Sequence, residues 1–231
     1  MRIPRIAVLC SSGGSAFFAA RRLLARRAIE FTVITDRPCG AETMCDQLAI
    51  PYRRISASSN EEFSGMALAH LQEIDSVDYI ALLFSRLITP TLFRTIPCFN
   101  IHPSLLPAFA GMNAVHKAYL AKARFLGATL HFVDKGIDTG PILAQVCAPI
   151  LREASEKWLD RISFAQKTYL FMVLAELLAD ESMSISDDLS RCALNLDAES
   201  SNGYANPTLK ARDLQESFRD LMMAEGITWM P

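Results

Sequence analysis

The stretch that decides the fold is IAVLCSSGGSAFFAARRLL, residues 6–24. Ile6 to Cys10 is a short, continuous apolar run, broken by the turn Ser11-Ser-Gly-Gly-Ser15. Phe17, Phe18, Leu23 and Leu24 follow among arginines, so the segment reads as strand, glycine loop, helix. Phe31 to Thr35 reads as a second strand and residues 40–49 as a helix, which makes a βαβ opening. Units of this kind build a mostly parallel central sheet with helices on both faces, so the expected class is α/β.

The rest of the chain continues the alternation. Ser58 or Ser59 caps a helix that runs to about Ser76, and Asp78 to Phe84 is a buried strand. A short helix after Pro90 precedes a strand at about 98–101, and a helix near 113–123 precedes a strand at 128–133. Leu143 to Ala148 looks like the antiparallel neighbour of that last strand, across the loop Asp134 to Pro141. From Ser155 to Asp180, Trp158, Leu159, Ile162, Tyr169, Leu170, Val173, Leu174 and Leu177 recur at helical spacing. Residues 181–206 lose periodicity and read as a linker, with a short strand over Leu189 to Leu196. Asn206-Pro207 looks like an N-cap with proline at the first helical position, and Gly226 like the stop. Leu214, Phe218, Leu221 and Met222 line one face of this last helix, for docking on its own domain or on a second copy. The expected division is a main domain over 1–180 and a C-terminal extension over 181–231.

Composition narrows the function classes. With 231 residues, 51% of them hydrophobic, the chain can bury a full core. Its net charge of −2 leaves no general basic field, so a small molecule rather than nucleic acid is the expected partner. Six cysteines are scattered without a C-x-x-C pair, as in reduced cytosolic proteins, and neither they nor the four histidines fall at zinc-ligand spacing. The N-terminal apolar run is too short for a signal peptide, and Glu176 interrupts the apolar stretch Tyr169 to Ala179. A soluble, cytoplasmic protein without a metal or a membrane partner is expected.

Two segments carry the chemistry: FNIHPSLLP at 99–107 and GATLHFVDKGIDTGPILAQ at 127–145. Strand alternation puts Asn100 and His102 on one face, at the carboxyl end of a strand, where open α/β sheets bind ligands. Asp138 lies between Gly136 and Gly140 in a loop that allows tight turns; it is either a turn aspartate bonded to its own backbone or a partner for the histidine. An amide donor, an imidazole and an orienting carboxylate are the groups that acyl transfer to an amine requires. His131 reads as a structural strand residue, and His70 and His116 as helix-surface residues.

These two segments closely resemble the signatures of folate-dependent formyltransferases, and residues 5–180 follow the order of the branch that acts on glycinamide ribonucleotide. The resemblance implies a Rossmann-like formyltransferase fold and N10-formyltetrahydrofolate as co-substrate. It implies Asn100, His102 and Asp138 as the catalytic trio. Folate contacts would fall to Phe84, Ser85, Arg86, Leu87 and Ile88, with Asp134, Ile137 and Thr139. Acceptor contacts would fall to Ser12, Gly13, Gly14, Ser15, Pro103 and Gln166.

Departures from the family pattern cluster on the acceptor side. Ala16 follows the glycine turn where the family has asparagine. The family's long helix carries a glutamate that contacts the acceptor's ribose, and Gln166-Lys167 aligns there. The alternatives are another amine such as an amino sugar nucleotide, or a folate-binding regulatory protein without activity. No basic tail for tRNA is present.

Overall fold

The computed structural model describes residues 3–74, 77–151, 153–195, 201–229 and 231. Strands and helices alternate as β1 (Arg5–Cys10), α1 (Ser15–Leu23), β2 (Glu30–Thr35), α2 (Gly40–Leu48), β3 (Tyr52–Arg54), α3 (Asn60–Glu73), β4 (Tyr79–Leu83), α4 (Pro90–Phe93) and β5 (Cys98–His102). Then α5 (Ala114–Leu120) leads into β6 (Phe125–Phe132), β7 (Ile142–Pro149) and α6 (Glu156–Ala179). The chain ends in β8 (Met183–Ile185), β9 (Cys192–Leu194), β10 (Ala205–Asn206) and α7 (Arg212–Ala224).

One eight-stranded sheet runs in the order β10-β7-β6-β5-β4-β1-β2-β3. The five strands from β5 to β3 are parallel to one another, and β6, β7 and β10 extend the β5 edge with antiparallel pairings. Two cores follow from strand alternation. Ile6, Val8 and Cys10 of β1 face the core that holds α1 and α6, whereas Ala7 and Leu9 face the one that holds α3. Ser59 caps α3 by accepting the Glu62 N–H, and the Glu62 carboxylate accepts the Ser58 N–H in return. By length and composition α6 is apolar enough to cross a membrane, but 78% of its most apolar window is buried within the fold.

The last segment packs on the same sheet and helix. β10 pairs with β7, and the Trp229 indole donates to Cys147 O at 2.9 Å. Glu176 accepts the Lys210 and Ala211 N–H groups at 2.8 Å each, and Tyr169 Oη accepts the Leu209 N–H. Glu176 is thus the anchor of this segment. Leu214, Phe218 and Met222 of α7 are buried against the protein's own core, so this helix docks on its own chain.

Three local expectations change. Asn206 belongs to β10, and α7 begins only at Arg212 after Ala211, so the Asn206-Pro207 pair does not start a helix. β3 and β10 are too short, at three and two residues, to show a period in the sequence. The expected strand at Leu189 to Leu196 is observed only as Cys192–Leu194, paired with β8, and Leu196 lies outside the described residues, as does the Ser76 end expected for α3.

Candidate active site

The carboxyl ends of β1, β4 and β5 lie side by side, and the strand order reverses between β1 and β4. Loops leaving the strands there diverge and open a crevice. The Ser85 N–H donates to Ser11 Oγ at 3.1 Å and ties the loop after β4 to the turn after β1. A cavity of about 650 Å³ opens at this point, walled by those two loops, by Asn100 to Pro103, by Gly111 to Ala114 and by the loop after β6.

β5 supplies the first two candidate side chains. Phe99 and Ile101 point into the core, so the alternate residues Asn100 and His102 share the opposite face. The antiparallel register then sets His131 of β6 directly across from Asn100. The Asn100 amide donates to Asp138 Oδ1 at 3.2 Å and lies 3.1 Å from His131 Nε2. Because the carboxylate only accepts, the amide nitrogen must face it.

Asp138 is delivered by the loop between β6 and β7. Asp134 Oδ1 accepts the Gly136 N–H at 2.9 Å and the Thr139 hydroxyl at 2.8 Å, which folds the loop on itself. A Cβ on Gly140 would lie 1.8 Å from Phe132 O, so only glycine lets the loop close this tightly. Asp138 itself takes a left-handed backbone, φ 56°. Its Oδ2 accepts the Gly111 N–H at 2.8 Å and stands 3.2 Å from His102 Nδ1. His102 Nε2 lies 3.0 Å from Phe109 O. Both ring nitrogens therefore face acceptors, and the doubly protonated imidazolium is the form that satisfies both. Burial opposes ionisation of Asp138, yet the hydrogen bonds from His131 and Gly111 and the charges of the two imidazoles outweigh it and hold the carboxyl at about 2.

Residues 4–174 match the family model described as formyl transferase. The chain belongs to that formyl transferase family. It is 35% identical over 152 residues to the phosphoribosylglycinamide formyltransferase of Bacillus subtilis, covering 62% of this chain and 78% of that one. It is 33% identical over 196 residues to the chloroplastic phosphoribosylglycinamide formyltransferase of Vigna unguiculata, where 78% of this chain spans only 62% of the relative. Among solved structures, glycinamide ribonucleotide transformylase 1 from Symbiobacterium toebii superposes with a TM-score of 0.75 at 28% identity, over 84% of this chain and 95% of that one.

In this formyl transferase most residues singled out from sequence converge on the cavity: Ser12 to Ser15, Phe84 to Ile88, Asn100, His102, Pro103, Asp134, Ile137 and Asp138 all line it. Leu87 and Ile137 are more than half exposed, so they offer apolar surface to a flat ligand. Arg86 Nη2 donates to Ala57 O at 2.9 Å and its guanidinium lies 5.5 Å over the Phe63 ring, while Nη1 is buried without a partner among the described residues. Thr139 does not line the cavity; it acts one step back, holding Asp134. Gln166 is not brought there either, since it is fully buried and donates to Leu126 O at 2.9 Å. Lys167, its neighbour, faces the cavity instead, because one residue along a helix turns a side chain by about 100°.

The sequence reading missed His131, the Gly111 N–H, Phe109 O and Lys167. His131 had a signal, the alternation of β6, but its meaning depends on the register with β5. The two backbone groups leave no sequence trace.

Proposed function

We propose that this formyl transferase moves the formyl group of N10-formyltetrahydrofolate to the primary amine of glycinamide ribonucleotide, as a soluble cytoplasmic enzyme. The observation that carries this is the convergence of Asn100, His102 and Asp138, with 3.2 Å between the carboxylate and each of the other two. As the amine nitrogen adds to the formyl carbon, negative charge builds on the formyl oxygen. The His102 Nε2–H, exchanging Phe109 O for the formyl oxygen, and one Asn100 N–H are the donors for that oxygen, and donors already in place stabilise developing charge most effectively. The oxygen displaces Asp138 Oδ1 as the acceptor of that amide proton. Asp138 orients the His102 ring through Nδ1. The proton that leaves the attacking nitrogen is the one the departing folate N10 requires, and His102, directly or through a water, carries it. Collapse then breaks the bond between the formyl carbon and N10, leaving a formamide and tetrahydrofolate.

Tetrahydrofolate release, followed spectrophotometrically with N10-formyltetrahydrofolate and glycinamide ribonucleotide, tests the proposal. His102→Ala and Asp138→Ala should each lower kcat/KM by roughly 10² or more, the scale of a lost acid/base or electrostatic group. Turnover with an amino sugar nucleotide and none with glycinamide ribonucleotide would overturn the acceptor. Folate binding without turnover on any amine would overturn the activity.

A further inference from the structure

The strand register carries a row of side chains outward from the active site. His102 of β5 stands opposite Thr129 of β6, and Thr129 opposite Gln145 of β7, so the three share one face of the sheet. Thr129 is fully buried, and its hydroxyl uses every bond available to it: it donates to Ser104 O at 2.6 Å and accepts the Leu106 N–H and one Gln145 amide N–H at 3.0 Å each. The Gln145 amide also donates to Leu106 O at 3.0 Å. Both main-chain groups of Leu106 are therefore pinned to the sheet. Beyond that anchor the chain turns back on the active site: Phe109 O lies 3.0 Å from His102 Nε2, and the Gly111 N–H donates to Asp138 at 2.8 Å. Phe109 reaches its place with a left-handed backbone, φ 57°. That conformation is unfavourable for a residue with a Cβ and persists only where the surroundings hold it. The Ser104 hydroxyl, bonded to Ala108 O at 2.6 Å, and the Gln145–Thr129 pair supply the hold. Gln145 itself does not line the cavity, so it can serve the reaction only through this loop.

We propose that Gln145 is a positioning residue for the transfer: with Thr129 it fixes Leu106, and through residues 107–111 it keeps Phe109 O on His102 Nε2 and the Gly111 N–H on Asp138. The proposal rests on the formyl-transfer function and deepens it. Phe109 O aims the Nε2–H that the formyl oxygen then takes over, so the imidazole is already in its working orientation when the donor arrives. Without the Gln145 donors the strained turn at Phe109 relaxes and draws its carbonyl away from the imidazole.

Gln145→Met, which keeps the length of the side chain and removes both donors, tests this in the full chain. Its kcat should fall roughly 10- to 100-fold, the scale for a catalytic group displaced by about 1 Å, while KM for either substrate changes by no more than about threefold. Thr129→Val should do the same, and Thr129→Ser, which keeps the hydroxyl, should stay within about threefold of the wild type. The double variant Gln145→Met, Thr129→Val should be no slower than the slower single one, because residues that act as one unit are not additive. In the free protein carrying isotope-labelled histidine, the His102 Nε2 resonance should move in Gln145→Met and Thr129→Val and stay in place in Thr129→Ser. Gln145→Glu, which keeps the shape and exchanges the amide donors for acceptors, is the second variant if the methionine protein folds poorly. A lowered urea midpoint with unchanged kcat and an unmoved His102 resonance would make Gln145 a structural residue only and overturns the proposal, as does a double variant whose losses multiply. Absence of transfer in the wild type would sink the proposed function, and the His102 resonance would still decide the positioning, so the two failures are distinguishable.

Discussion

The Asp138 carboxylate, to which the proposed reaction gives a role, also bears on stability. Its pKa of about 2 lies below the ordinary aspartate value of about 3.8, so its contribution is fully present above about pH 4 and is lost as pH falls through 2. That shift corresponds to about 2 kcal/mol. Comparing urea midpoints of the wild type and Asp138→Asn should therefore show a gap that is constant from pH 7 to about pH 5 and has shrunk by roughly half at about pH 3. A gap independent of pH would mean that the charge of Asp138 is not what the fold responds to. Asn100 and His102 were legible as a pair because the two-residue period of a strand is local. The closing of Asp138 on them was legible only through the family resemblance, since a turn aspartate and a catalytic one look alike in sequence. His131 was assigned a purely structural part, and its position 3.1 Å from the Asn100 amide depends on a cross-strand register that no local pattern encodes.

At the scale of elements, the long ones were readable and the short ones were not. α6 declared itself through more than six turns of spacing, β1 and β4 through unbroken apolar runs, and β5 through alternation of apolar and polar residues. β3 and β10 owe their existence to the edge they pair with. Asn206-Pro207 carried the local signature of a helix start and became a strand end, because pairing of Ala205 and Asn206 with β7 outweighs a weak capping preference. The apolar face of α7 was read correctly as a face, and its destination is now defined. Phe218 is 2% exposed, with its ring 5.2 Å from that of Tyr169 and 6.2 Å from that of Trp229. Phe218→Ala should cost about 3–5 kcal/mol in chemical denaturation, while KM for the folate donor changes little. A loss below about 1 kcal/mol would show that α7 is only loosely docked.

The whole molecule is organised around one sheet whose two edges do different work. The parallel half brings the carboxyl ends of β1, β4 and β5 to one crevice, and the antiparallel half brings the Asp138 loop over it and receives β10 and Trp229. Because the last segment is hydrogen-bonded to β7 and to α6, it should unfold with the sheet rather than before it. In a Trp158→Phe protein, Trp229 fluorescence and far-UV circular dichroism should report the same urea midpoint. An earlier fluorescence transition would separate residues 201–229 from the cooperative unit. The sequence by itself determined the class of fold and the paired motifs, since apolar period, turn chemistry and strand alternation all act over a few residues. Only the tertiary structure decided that His131 joins the polar cluster, that Gln166 turns away and that Lys167 turns in. Those outcomes depend on strand register and on the rotation of α6 against the sheet, which are settled by packing between parts of the chain far apart in sequence.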